Sequence, residues 1–243
     1  MKYGILADIH SNLEALESVL ADLGGRNVDE LLCLGDIVGY GADPAECLRL
    51  VRENCGTVIC GNHDYGISDE KTHEYFNPDA REALLWTEEV LSEDEKDYLK
   101  GLEIKKTVEN CLLVHSSPLF PREWKYVYDT RDAGNNFFGF DEEICFLGHT
   151  HVSSVFTFNE DDGSCRPLPG PAAFLTPRLR YMINPGSVGQ PRDGNPEASF
   201  AVFDSSAREL EIVRTPYDFK AAAKKIIKAG LPRKLGMRLG LGA

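Results

Sequence analysis

The chain has no apolar run of membrane-spanning length, no cysteines at CxxC spacing, no internal repeat and no low-complexity tract. Without a long apolar run it does not read as a membrane protein. Its seven cysteines are an odd number, and Cys33, Cys60 and Cys145 fall inside apolar runs, where cysteine acts as a small hydrophobe. A disulfide framework and a thiolate zinc site are therefore not expected. Positive charge is also scarce. Lys and Arg number 26 against 39 Asp and Glu, a net charge of -13, whereas gripping a long nucleic-acid backbone needs surplus cations. A small anionic substrate stays compatible with this charge where metal ions supply the countercharge. Met1-Lys2 runs straight into a strand that carries Asp8, with no signal-peptide pattern, so a cytoplasmic location is expected. What the chain does have is length and hydrophobicity. Its 243 residues are 42% hydrophobic, enough for a large core, and one domain spanning 1–243 is expected.

The most informative stretch is Glu30 to Gly41, ELLCLGDIVGYG. Leu31 to Leu34 form a continuous apolar run, as in a strand buried on both faces of a parallel sheet, and Gly35 lets the chain turn so that Asp36 faces a cleft. The same grammar recurs four times: Tyr3–Ala7 before Asp8, Val58–Cys60 before Gly61-Asn62, Leu112–Val114 before His115, and Ile144–Leu147 before Gly148-His149. Open α/β sheets bind ligands at the carboxyl ends of their strands, so five such endings predict one shared site with Asp36 near its middle.

Between these strands, Leu13, Leu16, Val19, Leu20 and Leu23 repeat at helical spacing after Ser11-Asn12, either of which can cap. A second helix is predicted from about Pro44 to Asn54, followed by a strand at Thr57 to Cys60. Residues 66–100 form a helical excursion, with helix starts at Asn77-Pro78 and at Ser92, where a capping box is spelled out; it serves as a covering hairpin or as a substrate-shaping lid. Strands are predicted at 104–108, 111–115, 143–147, 152–158, 180–183, 199–204 and 209–213, in an antiparallel or mixed sheet. The aromatic-rich stretch 116–142 has no clear period and reads as a long loop lining a site or interface. A basic, apolar-striped helix at about 218–238, carrying Lys224, Lys225 and Arg238 among others, docks or binds anions.

Five of the six histidines lie in the strand-end motifs, and only His73 lies outside them. With Asp8, Asp36 and Asn62 they form a nitrogen and oxygen donor set suited to Mn, Fe, Zn or Ni. Two residues apart on an extended strand tip, Asp8 and His10 face alike and can bind one ion; His149 and His151 can likewise converge, on one ion or on two. Even without His63, seven donors exceed the needs of one ion. They suit two, about 3.5 to 4 Å apart, with Asp36 as the candidate bridge.

These motifs, DIHSN, GDIVGYG, GNHD, a strand ending in Val114-His115, and GHTH, resemble the five blocks of the calcineurin-like metallophosphoesterases. The NPGSVGQPRDG run at 184–194 resembles a prokaryotic branch of small phosphodiesterases and phosphatases. The resemblance implies a four-layer α-β-β-α sandwich, two mixed sheets flanked by helices. It implies that Asp8, His10, Asp36 and His151 hold one metal, that Asp36, Asn62, His115 and His149 hold the other, and that His63 is the general acid. Manganese is the first expectation for both ions. Two departures narrow the branch: Gly39-Tyr40-Gly41 replaces the Asp-Arg-Gly of the phosphoprotein phosphatases, removing their arginine clamp, and Ser116 replaces a glycine after the fourth-block histidine.

The function implied is hydrolysis of small phosphodiesters, nucleotides being one option, by metal-activated hydroxide, with His63 protonating the leaving group. Asp64 either orients the other ring nitrogen of His63 or only caps a helix. Arg192 and Asn12 are the candidate substrate contacts. Phosphomonoesters and dinucleoside polyphosphates are the alternative substrates; a nuclease and a non-catalytic scaffold are further from the pattern, and a homo-oligomer stays open.

Overall fold

Each of the first two strands is followed by a helix that packs back on it. In the computed structural model, which describes residues 1–243, the chain runs β1 (Lys2–Leu6), α1 (Leu13–Gly24), β2 (Glu30–Cys33), α2 (Pro44–Asn54) and β3 (Cys55–Val58). Three helices follow: α3 (Asn62–Ser68), α4 (Pro78–Val90) and α5 (Glu93–Lys100). The second half contains β4 (Lys105–Val108), β5 (Cys111–Val114), α6 (Thr130–Asn136), β6 (Ile144–Phe146), β7 (Ser154–Asn159), β8 (Ser164–Pro167), β9 (Ala172–Phe174), β10 (Arg180–Asn184), β11 (Ala198–Asp204) and β12 (Glu209–Thr215). Two helices close the chain, α7 (Phe219–Lys228) and α8 (Arg233–Leu239). No helix is long and apolar enough to cross a membrane.

Two six-stranded mixed sheets result, ordered β3-β2-β1-β11-β12-β9 and β4-β5-β6-β10-β7-β8. Strands β1, β2 and β3 are parallel, as are β5, β6 and β10. Strand alternation then builds three core layers. Tyr3, Ile5, Leu32, Leu34, Leu113, Phe146, Tyr181 and Ile183 point into the space between the sheets. Leu6 and Cys33, on the opposite face, meet Leu16, Val19, Leu48 and Val51 of the first two helices. Leu112, Val114, Cys145 and Met182 meet Phe137 and Ala133 on the far side. The four-layer arrangement is the one the motif resemblance implied.

The expected elements are present with instructive differences. Asn77 and Ser92 cap α4 and α5, the latter with its full capping box. The third strand ends at Val58, two residues early, because Ile59 makes only an isolated bridge to Glu103 before the chain turns into α3. Asn159 to Gly163, read from the sequence as a polar hairpin loop between two strands, joins β7 to the polar edge strand β8, whereas β9, a short edge strand, was not expected. The 116–142 stretch contains α6, capped by Asp129. The basic tail is two helices and not one, since Gly230 is left-handed (φ 82°) and Pro232 opens α8.

That tail docks. Ala222, Ile226, Leu235 and Leu239 cluster with Tyr40 and Ala80, and Lys225 Nζ lies 2.7 Å from Glu14 and 2.9 Å from Asp43, in or beside the first turns of α1 and α2. Lys225→Met should lower stability by about 1 kcal/mol, discounted for its partial exposure. Urea unfolding measures this, and an unchanged midpoint would show that the clamp contributes nothing.

Candidate metal centre and cleft

The strand ends deliver their donors through left-handed backbone. Asp8 (φ 55°), His10 (φ 50°), Asp36 (φ 53°), His149 (φ 69°) and His151 (φ 59°) all have positive φ. The expectation that Asp8 with His10, and His149 with His151, face alike through strand alternation is therefore replaced: β1 and β6 stop at Leu6 and Phe146, and tight turns aim the side chains. Such conformations cost of order 1–3 kcal/mol each and persist only where surroundings hold them. Here the neighbouring strand end does so. The amides of Asp8, His10 and Ser11 donate to the carbonyls of Gly35, Asp36 and Ile37, and the His149 amide donates to the Asp8 carboxylate. Gly35 itself takes φ 88°, as the turn before Asp36 requires.

Three donor groups are buried within 4.8 Å spans: Asp8 with His10 and His151, Asp36 with His115 and His149, and His10 with Asp36 and His63. Asp8 and Asp36 connect them. Asp36 Oδ2 lies 3.2 Å from His115 Nε2 and 3.6 Å from His10 Nε2, while Asp8 Oδ1 lies 3.4 Å from His151 Nε2 and 3.8 Å from His115 Nε2. The other Asp36 oxygen accepts from the His63 amide at 2.8 Å.

Four imidazoles are tied to backbone carbonyls. His10 Nδ1 donates to Val38 O at 3.1 Å, His115 Nδ1 to Leu34 O at 2.8 Å, His151 Nδ1 to Gln190 O at 2.7 Å, and His149 Nε2 to Trp124 O at 2.8 Å. A neutral ring that donates at one nitrogen presents a lone pair at the other, so His10, His149 and His151 point lone pairs inward, and the fourth ring, His115, aims its Nε2 the same way. His10 Nε2 and His151 Nε2 then meet at 3.1 Å as two acceptors, His115 Nε2 faces the Asp36 carboxylate, and Asn62 Oδ1 is buried with no partner. Acceptors so arranged fit divalent cations.

The electrostatics agree. Burial pushes the Asp8 carboxyl up to about 7, and Asp36 adds to the shift. Burial opposes charge at Asp36 too, but His115, His63 and His10 hold its carboxyl well below the usual range. His115, against its own burial, is raised to about 9 by Asp36, whereas burial and His115 together push His149 down to about 3. Positive charge is favoured at the His115–Asp36 contact, where a donor group expects its ion.

Two expected roles are corrected. Asp64 does not orient His63: its carboxylate accepts from the amides of Asp36 (2.7 Å), Ile37 (2.9 Å), Val38 (3.3 Å) and Gly61 (3.0 Å). It closes the N-terminus of α3 and fixes the loop that carries Asp36, so the capping alternative is the one seen. Asn12 does not face substrate. Its Oδ1 caps α1 at Ala15 (3.2 Å) and its Nδ2 donates to Gly189 O (2.7 Å), so both polar atoms are spent. His63 sits on the first turn of α3 with its Nδ1 buried and unpartnered. Its ring packs so closely over Gly39 that a Cβ there would stand 2.3 Å from Nδ1, which accounts for glycine at that position.

His63, Asn62, Asp36, His149, His151 and Arg192 line a cleft of about 590 Å³, walled by Tyr40, Tyr65, Tyr75, Phe76, Trp124 and Tyr126. The expectation that the aromatic 116–142 stretch lines a site holds for Trp124 and Tyr126, whereas sequence reasoning missed Tyr40 and Tyr65 as wall residues and the supporting work of the NPGSVGQPRDG run. Asn184 Nδ2 donates to Gly148 O (2.7 Å), and Ser187 Oγ donates to Asp8 O (2.7 Å), so the NPGS run braces two donor turns. Gln190 holds His151 through its carbonyl and Arg192 through its side chain (2.8 Å). The only sequence signal for these was a turn-rich run full of small polar residues.

The Asp64 network yields a test. Asp64→Asn turns one accepting oxygen into a donor facing buried amides, which should cost at least about 2 kcal/mol. Denaturant unfolding should show this loss, whereas a side chain that served only catalysis would leave stability unchanged.

Relatives agree with the geometry. The crystal structure of a metallophosphoesterase from Sphaerobacter thermophilus matches over all of both chains with TM-score 0.87 and 39% sequence identity. An uncharacterized protein of Methanocaldococcus jannaschii is 42% identical over 98% of this chain and 97% of its own length. A symmetrical bis(5'-nucleosyl)-tetraphosphatase of Actinobacillus pleuropneumoniae is 29% identical over 54% of this chain and 44% of its own. The domain model of the calcineurin-like phosphoesterase superfamily matches residues 1–208, with all the donor turns inside it, and the chain belongs to that superfamily.

Proposed function

We propose that the chain hydrolyses small phosphodiesters with two divalent ions, manganese first, one held by Asp8, His10, Asp36 and His151 and the other by Asp36, Asn62, His115 and His149. The observation that carries this reading is Asp36, which stands between both donor groups with one carboxylate oxygen turned to His10 and His115. Two divalent ions held by these residues would supply countercharge for the phosphoryl oxygens and would lower the pKa of water toward neutrality. The remaining steps fall to side chains. Arg192, held against Gln190 and over the Tyr40 ring (5.7 Å), pairs with a phosphoryl oxygen and orients the ester. His63, which touches no carboxylate through its ring, donates a proton to the leaving oxygen.

In the free protein burial, with help from Arg192 and His115, pushes His63 down to about 4. An anionic phosphate beside the ring opposes that shift and favours the imidazolium the step needs. Preference for diesters over monoesters is supported by Gly39-Tyr40-Gly41: the clamp arginine of the phosphoprotein phosphatases is replaced, and a monoanionic diester asks for less positive charge. A second reading, cleavage of a dinucleoside polyphosphate, is supported by the tetraphosphatase relative. A scaffold that had lost catalysis would not need every donor and His63 in place.

His63→Ala discriminates the acid from a metal ligand. The variant should retain its metal content and lose about 10²- to 10⁴-fold in kcat/KM on alkyl or nucleoside esters, and much less on aryl esters whose phenolate leaves unaided. Equal losses on both ester classes would assign His63 to substrate positioning, and a lost ion would make it a ligand. A panel of mono- and diesters assayed with Mn tests the substrate class, with no turnover of any ester contradicting the proposal.

A further inference from the structure

Four aromatic side chains of the cleft do nothing for the core. Tyr65, Tyr75, Trp124 and Tyr126 belong to none of the four apolar clusters, although all four line the cleft above the donor groups. Tyr75 is 81% exposed at that wall. Tyr126 stacks on the His149 ring at 4.2 Å and 14°. Trp124 is held left-handed (φ 50°, ψ 37°), rare for a bulky residue. That conformation lets its carbonyl reach His149 while its indole lies against Tyr65 (5.9 Å) and edge-on to His115 (6.2 Å). Arg122 lies over the Tyr65 ring (5.6 Å) and donates to its hydroxyl at 3.4 Å. The indole is thus fixed at the cleft wall beside His115, and the Arg122 guanidinium lies over its neighbour Tyr65.

We propose that Trp124 and Tyr65, backed by Arg122, form a stacking platform for a nucleobase, so that the ester accepted carries a nucleoside. The placement of the phosphate rests on the phosphoesterase reading above; the platform itself does not. An aromatic ring accepts the π-face of any base, and an arginine beside it adds cation–π attraction. The cleft falls within the volume range of small-molecule sites, about 300–1,000 Å³. The net charge of -13 directs the platform to a free nucleotide and away from a polynucleotide.

The chain has two tryptophans, so Trp86→Phe leaves Trp124 as the sole indole reporter. Adenosine 5'-monophosphate, ribose 5-phosphate and phenyl phosphate are titrated into this Mn-loaded protein, with affinity read by calorimetry and location by indole emission. The nucleotide should bind about tenfold tighter than ribose 5-phosphate and change Trp124 emission. In the otherwise unaltered chain, Trp124→Leu and Tyr65→Leu should each bring nucleotide affinity down toward that of ribose 5-phosphate. The second variant leaves the residue that anchors His149 untouched. Equal affinities for the nucleotide and ribose 5-phosphate overturn the platform, and phenyl phosphate binding as tightly as the nucleotide overturns its assignment to a nucleobase. If no ester is turned over but the nucleotide preference holds, the phosphoesterase reading fails and the platform stands; turnover without the preference removes the platform alone.

Discussion

Four imidazoles each give one nitrogen to a backbone carbonyl, and most of the site follows from that. The bonds to Val38, Leu34, Gln190 and Trp124 fix tautomer and ring orientation together, so the free nitrogens converge before any ion arrives. The carbonyls come from three loops, with Leu34 and Val38 sharing the one between β2 and α2, and each loop is held where it is by the two sheets. The fold is therefore a device for bringing five chain turns to one point. The left-handed residues at Asp8, His10, Asp36, His149 and His151 are the local cost of that convergence. The backbone hydrogen bonds between the Asp8 and Asp36 loops, and the four amides gathered by Asp64, keep the strain in place.

The same loops connect substrate wall and donor group. The turn that ends in Trp124 and Tyr126 orients His149 with its backbone and faces the cleft with its side chains. The NPGSVGQPRDG run behaves alike: Asn184, Ser187 and Gln190 brace the donor turns, and Arg192, two residues on, enters the cleft. Docked helices α7 and α8 pack behind Tyr40, whose ring lies 4.6 Å from that of His10 and 4.5 Å from that of His63, so the tail supports the site without contributing a donor.

Much of this was legible in the residues. Apolar runs ending in Gly-Asp or Gly-His named the parallel strands and placed the donors at their carboxyl ends, because burial on both sheet faces and tight turning leave few other sequences. Helix starts at Asn77 and Ser92 were legible because capping is local chemistry. What escaped depends on partners distant in sequence. A carboxylate next to a histidine suggests a catalytic pair, yet Asp64 bonds amides 26 to 28 residues away. Asn12 could cap or contact substrate, and only the approach of Gly189, 177 residues on, decided it. Left-handed backbone at Asp and His carries no sequence signature comparable to glycine, so strand alternation grouped Asp8 with His10 for the wrong reason and left open His149 and His151, which fall in different donor groups. Gly230 and Pro232, by contrast, were visible signals that split the tail into two helices.

The central claim is that Asp36 is shared by two metal ions. Anomalous diffraction from crystals soaked in Mn measures it directly. Two peaks about 3.5 to 4 Å apart are predicted, both within coordination distance of the Asp36 carboxylate, one also bound by His10 and His151 and the other by His115 and His149. A single peak, or two peaks of which one has no Asp36 oxygen, would contradict the account.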